Sequence, residues 1–179
     1  MKVLFIGNSH TYFNDMPGIF KRLCAEKGKD VHVTMLTKGG MGLDYHAKEE
    51  QTRFNILYGA YDVVVLQHTA HPMGDLDEMK KGAEKIAAWC KEAGSRVVLY
   101  QTWTEKGDEK SQEHMSRVYF DLGELLCASV APVGDVWQKT RLENPDLELY
   151  FTDGAHASYD GSQLAARVIF DTVFKKMNP

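Results

Sequence analysis

A serine and an aspartate–histidine pair occupy positions in this sequence where they could carry out nucleophilic chemistry. Ser9 follows the short apolar run VLFIG, which is typical of a buried strand that ends in a sharp turn. Asp153 and His156 stand three residues apart in FTDGAHAS, directly before an amphipathic helical pattern. A hydroxyl, an imidazole and a carboxylate could serve as a nucleophile, its general base and the group that orients the base. Ser9 alone is also typical of a turn or a helix cap, so its interpretation depends on the surrounding elements.

Five strand-like runs alternate with helical patterns along the chain. The runs cover residues 3–6, 31–36, 63–66, 97–100 and, more weakly, 131–133. Apolar residues dominate the runs, which indicates a parallel sheet covered on both faces. We therefore predict an α/β fold, a three-layer α/β/α sandwich with a five-stranded parallel sheet, formed by a single domain over residues 1–179.

The helix between the first two runs carries clear boundary signals. Asn14 or Asp15 is a candidate cap, Pro17 is suited to the first turn, and Gly28 is a stop signal. The charged segment TWTEKGDEK, residues 102–110, predicts a solvated loop after the fourth strand.

Composition and charge disfavour several classes of partner. The net charge of −4 and the absence of Lys/Arg clusters interleaved with aromatics argue against nucleic acid. No stretch has the length of a membrane span, and because the first strand begins at once we expect no leader. Of the three cysteines, Cys24 and Cys90 lie on apolar helical stripes, so we expect a reduced chain in the cytoplasm.

Polar groups follow each of the first four strand-like runs. In an open α/β sheet these positions meet at the carboxyl edge, where ligands bind. Ser9 follows the first run, Gly40 in KGGMG the second, Gln67 in QHTAH the third and Trp103 in QTW the fourth. This edge would therefore combine a nucleophile, glycine amides and a carboxamide donor with the general base His156 and its partner Asp153.

Three of these segments resemble the sequence blocks of the SGNH hydrolases, also called GDSL-like esterases and lipases. FIGNSHTY is similar to the first block, KGGMG to the second and DGAH to the last. The resemblance implies a flavodoxin-like topology, with Ser9 as nucleophile, His156 as general base and Asp153 as its orienting partner. It also implies that the amides of Ser9 and Gly40 form the oxyanion hole.

The chain departs from the family pattern at two places. Asn8 stands where the first block usually has Asp, and Leu66-Gln67-His68-Thr69 replaces the usual Gly-x-Asn-Asp of the third block. Gln67 carries the same carboxamide as the family Asn on a stem one methylene longer, so it is our candidate for the third oxyanion donor. The alternative is that Gln67 only ties down a neighbouring loop.

Four further residues are candidate substrate contacts, namely Asn8, Tyr12, His68 and Trp103. Packing in the core is the alternative for Tyr12 and Trp103, and a structural hydrogen bond is the alternative for His68. His68 and His71 could also be imagined as metal ligands, but Pro72 follows at once and the segment has the pattern of a loop. We therefore predict no metal.

Together the residues and the resemblance predict a serine esterase that needs no cofactor. A chain this short leaves little length for a lid, so we expect an open site suited to small acyl esters, acetyl above all. The resemblance adds carbohydrate esters as a target. Two alternatives remain: an acyltransferase with the same triad, and a flavodoxin-like module in which Ser9 and Thr11 bind a flavin or a phosphate.

Overall fold

The computed structural model describes residues 1–175 and contains one five-stranded parallel sheet. Its strands are β1 (Lys2–Gly7), β2 (His32–Thr37), β3 (Val63–Leu66), β4 (Arg96–Gln101) and β5 (Ser129–Pro132). Their order across the sheet is β2-β1-β3-β4-β5, and every neighbouring pair is parallel. Each of the five predicted runs forms a strand, although the last begins two residues earlier than predicted and Val133 already belongs to the following helix.

Helices connect the strands. They are α1 (Ser9–Tyr12), α2 (Met16–Glu26), α3 (Leu43–His46), α4 (Glu50–Gly59), α5 (Leu76–Glu92), α6 (Gln112–Leu126), α7 (Val133–Glu143) and α8 (Tyr159–Phe174), with 3-10 turns at Phe13–Asp15 and Glu109–Ser111. The predicted boundary of α2 is confirmed, because the Asp15 carboxylate accepts a hydrogen bond from Gly18 N–H at 3.2 Å. None of the helices formed by residues 1–175 is both long and apolar enough to cross a membrane.

The helices form two layers on the sheet, which confirms the predicted α/β/α sandwich. Helices α2, α7 and α8 contribute to the core on one face, and α3 to α6 contribute to the core on the other. Successive residues of β1 alternate between these two cores, with Val3 and Phe5 on one side and Leu4 and Ile6 on the other. Burial on both faces explains why the central strands are apolar throughout.

Strand β2 differs from the prediction of a strand covered on both faces. It lies at the edge of the sheet, its residues are exposed or half-buried, and Met35 is 41% exposed. An edge position leaves part of each face of the strand without a covering helix. His32 and Thr34 stand at alternate positions of the run 31–36, a polar–apolar alternation that is typical of a half-buried strand.

The segment 102–110 is also not the fully solvated loop that its charges predict. Trp103 is 0% exposed and Thr104 only 3%. The Trp103 ring stacks on Trp137 of α7 with centroids 3.9 Å apart, and its Nε1–H donates to the Ala155 carbonyl at 2.9 Å. The start of this segment is thus part of the core, and it fixes the loop that carries His156.

The strand order places a crevice beside the end of β1. The chain runs from β1 to β2 on one side and then returns to β3 on the other side, so the direction of winding reverses at β1. Ligands of open α/β sheets bind at such a reversal, beyond the carboxyl ends of the strands. Ser9 follows β1 and Gln67 follows β3 at this point.

We expect Trp103→Ala to lower the free energy of unfolding by about 3–5 kcal/mol, because it removes a fully buried ring and leaves a cavity against Trp137. Urea denaturation followed by circular dichroism measures this change. Tyr58→Ala is the matched control, since Tyr58 is 77% exposed and its truncation should shift stability by no more than about 0.5 kcal/mol. Equal stability of the two variants would contradict the core role of Trp103.

Candidate active site

Ser9, His156 and Asp153 form a continuous chain of hydrogen bonds in the folded protein. His156 Nε2 lies 2.8 Å from Ser9 Oγ, and His156 Nδ1 lies 2.7 Å from Asp153 Oδ2. A carboxylate only accepts hydrogen bonds, so the neutral ring must carry its proton on Nδ1. Nε2 is then left free to accept the Ser9 hydroxyl proton. Ser9 and His156 are 147 positions apart in the sequence, and the fold brings them into contact.

The Asp153 carboxylate is held in its ionised form by the turn around it. Oδ1 accepts hydrogen bonds from the N–H groups of Ala155 and His156, each at 2.9 Å, while Oδ2 faces the imidazole. Burial works in the opposite direction, but the hydrogen bonds from Ala155 and His156 outweigh it and lower the pKa of Asp153 to about 2. The carboxylate can therefore orient the imidazole over the whole neutral range.

Backbone contacts fix the loop that presents this pair. Phe151 N–H donates to the His156 carbonyl at 2.7 Å, and Lys106 N–H donates to the Gly154 carbonyl at 2.9 Å. Gly154 has a φ of +72°, a conformation in the left-handed region that favours glycine. With the bond from Trp103 to this loop, His156 is anchored to the core at several points.

The turn that carries Ser9 is held by Asn8, which caps α1. The Asn8 Oδ1 accepts His10 N–H at 3.1 Å, and its Nδ2 donates to the Met41 carbonyl at 3.0 Å. Asn8 is only 2% exposed. The prediction of Asn8 as a substrate contact is therefore wrong, because its side chain is used to join the Ser9 turn to the loop that contains Gly40.

Gln67 lies beneath the same turn and is 0% exposed. Its Oε1 accepts hydrogen bonds from Asn8 N–H at 2.8 Å and from the Thr11 hydroxyl at 2.9 Å, and its Nε2 donates to the His68 carbonyl. A Cβ on Gly7 would collide with Gln67 Oε1, so this approach requires glycine at the end of β1. The structure does not support Gln67 as an oxyanion donor; its contacts match the alternative, that it ties down the turn.

The end of β1 is fixed from a second direction through its last carbonyl. The Gly7 carbonyl accepts a hydrogen bond from His46 Nε2–H at 2.8 Å and another from Lys38 N–H at 3.0 Å. His46 is 3% exposed and lies on α3. The Ser9 turn is thus supported by the Gln67 side chain, which follows β3, and by the His46 side chain, which lies between β2 and β3.

Gly40 stands in the turn after β2 that the Asn8 side chain joins to the Ser9 turn. Its φ of +73° lies in the left-handed region, and the neighbouring Met41 N–H donates to the Lys38 carbonyl at 3.1 Å. Within residues 1–175 no acceptor satisfies the amide N–H of Ser9 or that of Gly40. Their assignment as oxyanion donors stays a prediction.

The overall structure is similar to those of known hydrolases over nearly its whole length. A protein from Slackia heliotrinireducens, described as a candidate SGNH hydrolase, is 26% identical with a TM-score of 0.83; the match covers 97% of this chain and 98% of that one. The chain belongs to the SGNH hydrolase superfamily. This confirms the resemblance given by the three sequence blocks.

Two esterase structures share the SGNH fold at lower identity. The acetyl xylan esterase AlAXEase is 18% identical with a TM-score of 0.80, over 97% of this chain and all of that one (100%). A carbohydrate esterase family 3 protein from Talaromyces cellulolyticus is 12% identical with a TM-score of 0.78, over 98% of this chain and 97% of that one. A scan of family models and a search of curated sequences found no match to this chain.

The histidines that follow β3 in this SGNH protein are structural. His68 is 3% exposed, its Nδ1 accepts Leu43 N–H at 2.9 Å, and its Nε2 donates to the Met73 carbonyl at 2.8 Å. The prediction of His68 as a substrate contact is therefore wrong, because both ring nitrogens are occupied in the core. His71 Nε2 donates to the Trp103 carbonyl at 2.8 Å. Within the part of the chain that the structure describes, no cluster of three or more His, Cys, Asp or Glu residues could hold a metal ion.

The two aromatic substrate candidates have different positions. Trp103 is fully buried, so its prediction as a substrate contact is wrong and the core alternative is correct. Tyr12 is 38% exposed, and its hydroxyl lies 3.1 Å from the position that a Cβ on Gly39 would take. Tyr12 thus lies on an accessible surface beside the glycine loop, and its role in substrate binding stays a prediction.

Sequence reasoning missed two rings that contact the His156 imidazole. The His10 ring stacks on the imidazole with centroids 5.0 Å apart, and the Phe13 ring stacks on it with centroids 4.7 Å apart. Both residues follow Ser9 in the segment SHTYF, three positions apart, a spacing that places side chains on one side of a helical turn. That spacing indicates that the His10 and Phe13 rings could contact a common partner. Nothing in the sequence identifies this partner as His156, which lies 147 residues after Ser9.

We expect Gln67→Met to lower the free energy of unfolding by about 1–3 kcal/mol, because the buried Asn8 N–H loses its acceptor. Activity should fall as well, since the turn that holds Ser9 is loosened. Urea denaturation and steady-state kinetics measure the two effects. An undiminished stability together with a large loss of kcat would return Gln67 to the role of oxyanion donor.

Burial lowers the pKa values of four histidines, His10, His46, His68 and His71. Unfolded imidazoles gain protons near pH 6.5, whereas these folded ones stay neutral to lower pH, so the unfolded state binds more protons and acid favours it. We therefore expect the Tm to be level above about pH 7 and to fall as the pH drops through about 6.5.

The matched variants for this acid sensitivity are His46→Gln and His114→Gln. A glutamine at position 46 can still donate to the Gly7 carbonyl but does not titrate, so it should reduce the loss of Tm on acidification. His114 is exposed, and its replacement should leave the pH dependence unchanged. An equal pH dependence in all three proteins would contradict the assignment to buried histidines.

Proposed function

We propose that this SGNH hydrolase is a serine esterase in which Ser9 is the nucleophile, His156 the general base and Asp153 the group that orients the base. The hydrogen-bonded chain from Asp153 through His156 to Ser9 carries the proposal. Its two distances, 2.7 and 2.8 Å, match the reach that proton transfer requires. The chain lies at the carboxyl edge of the sheet, where this class of fold binds ligands.

The proposed reaction follows from the proton positions in this chain. His156 Nε2 takes the Ser9 proton while Oγ bonds to the ester carbonyl carbon, and the negative charge moves to the carbonyl oxygen. The N–H groups of Ser9 and Gly40 are the proposed donors to that oxyanion. The imidazolium then protonates the leaving alcohol, and a water molecule, deprotonated by the same imidazole, releases the acid from the acyl-enzyme.

Small acyl esters, acetyl esters in particular, are the proposed substrates. The acetyl xylan esterase and the carbohydrate esterase with the same fold support a carbohydrate alcohol. Tyr12, Met41 and Phe151 are partly exposed apolar side chains on the segments that carry the site. Such surfaces suit the apolar face of a sugar ring. Catalysis without a cofactor and a cytoplasmic location remain part of this proposal.

Two contacts weigh against the alternative of a flavin or phosphate module. The Thr11 hydroxyl is 1% exposed and donates to Gln67, and the Ser9 hydroxyl is engaged by His156. Neither is disposed to receive a phosphate, and an imidazole beside Ser9 has no role in that alternative.

We expect Ser9→Ala and His156→Ala to abolish hydrolysis of p-nitrophenyl acetate while circular dichroism shows an intact fold. Asp153→Asn should lower kcat by on the order of 10⁴-fold. The two backbone N–H groups at Oδ1 would retain the amide oxygen there, so the NH₂ group would face Nδ1 and force the proton onto Nε2. A folded Ser9→Ala protein with retained activity would refute the proposed nucleophile.

The same assays define the substrate range of the esterase. A series of p-nitrophenyl esters of increasing acyl length should show the highest kcat/KM for acetate. A carbohydrate acceptor added to the reaction separates hydrolysis from transfer, because an acyltransferase would form the acylated sugar in preference to the free acid.

A further inference from the structure

We propose that His10 is a positioning residue that, together with Phe13, stacks on the His156 imidazole and holds it in the orientation the esterase reaction needs. The inference rests on the proposed function of His156 as general base. It assigns a role to the residue directly after the nucleophile, where neither the hydrogen-bond chain nor the fold requires a histidine.

The rings around His156 are nearly parallel to it. The His10 ring is inclined by 26° with centroids 5.0 Å apart, and the Phe13 ring is inclined by 24° with centroids 4.7 Å apart. Phe13 is supported in turn by Phe151 in an edge contact at 5.2 Å. His156 therefore has aromatic neighbours stacked on it from the first helical turns of the chain.

The two hydrogen bonds of His156 act in the plane of its ring, at Nδ1 and Nε2. Rotation about the side-chain bonds can still carry the ring out of that plane, which would move Nε2 away from Ser9 Oγ. The stacked rings contact the face of the imidazole and therefore oppose this displacement.

The His10 ring is itself fixed from behind. It contacts His71 in an edge arrangement at 4.9 Å and Trp103 at 5.4 Å, and the Tyr100 hydroxyl donates to the His10 carbonyl at 3.3 Å. Trp103 and Tyr100 are fully buried. His10 thus connects the His156 imidazole to buried residues of the core.

The surroundings of His10 keep its ring uncharged. Burial lowers the pKa of His10 to about 3, and the neighbouring imidazoles of His71 and His156 add to this effect, while the Ala155 carbonyl and the Asp153 carboxylate oppose it. A neutral ring can stack on His156 in both of its protonation states. When His156 takes the Ser9 proton, the imidazolium faces aromatic surfaces without a second positive charge, a favourable cation–π arrangement.

One ring nitrogen of His10 makes no hydrogen bond within the described residues that could hold the ring in place. Its Nε2 is buried and has no hydrogen-bond partner among residues 1–175. An apolar ring of similar width would keep the stack and remove this unsatisfied atom. His10→Phe is therefore the conservative variant, and His10→Leu is the variant that removes the aromatic face.

We expect His10→Leu to lower the kcat for p-nitrophenyl acetate by about 10- to 100-fold with little change in KM, since a misdirected base affects the chemical step. His10→Phe should retain most of the wild-type kcat. Phe13→Leu should behave like His10→Leu, and it keeps the test decisive where His10→Leu fails to fold. Equal losses in His10→Phe and His10→Leu would overturn the proposal.

A spectroscopic measurement separates positioning from a general loss of stability. In ¹⁵N NMR spectra of histidine-labelled protein, we expect wild type and His10→Phe to show His156 protonated on Nδ1, and His10→Leu to show a shift toward the mixture of tautomers found in free imidazole. A wild-type kcat and an unchanged His156 spectrum in folded His10→Leu would overturn this inference. Loss of activity in Ser9→Ala would leave the esterase proposal standing in that case, so the two failures are distinguishable.

Discussion

The hydrogen bond from Asn8 N–H to the buried Gln67 Oε1 determines where strand β1 ends and therefore where Ser9 lies. An unsatisfied backbone N–H in this position would cost as much as a lost buried hydrogen bond, so the turn cannot relax without losing stability. The approach depends on Gly7, whose missing Cβ leaves room for the carboxamide. A site at the end of a strand is thus fixed by the neighbouring strand's first loop residue, a side chain with no place in the proposed reaction.

The other half of the site, which contains His156, is held in place by a different kind of contact. His156 lies on a loop, and that loop is tied to the core by the buried Trp103, which stacks on Trp137. A side chain on a loop keeps a precise position only if the supports of the loop are rigid, and the proposed role of His156 as a base requires such a position. Two independent supports, one polar beneath Ser9 and one aromatic beneath His156, meet at a hydrogen bond of 2.8 Å.

The sequence predicted the fold and the meeting of Ser9, Asp153 and His156 because those inferences depend on patterns along the chain. Apolar runs define strands, parallel strands end at one edge, and residues after the strands must converge there. The direction of the Gln67 carboxamide was not predictable in this way. It depends on which partners lie within 3 Å, and those partners come from a different strand end.

The errors at Trp103 and His68 have a related cause. Charged neighbours made the segment 102–110 resemble a solvated loop, yet its first residues continue the buried strand β4 into the core. His68 was adjacent to the expected site in sequence, but its ring turns to cap the amide of Leu43. Local polarity predicts exposure only on average, because a polar side chain that finds partners for all its atoms can be fully buried.

The edge position of β2 gives the two sides of the site unequal protection. The loop with Gly40 follows this half-exposed strand, whereas Ser9 follows β1, whose residues 3–7 are buried. Regions with few buried apolar contacts open locally at a lower free energy than the centre of a sheet. Amide hydrogen exchange at the β2 edge should therefore be faster than in β1, and local opening should reach the Gly40 side of the site more often than the Ser9 side.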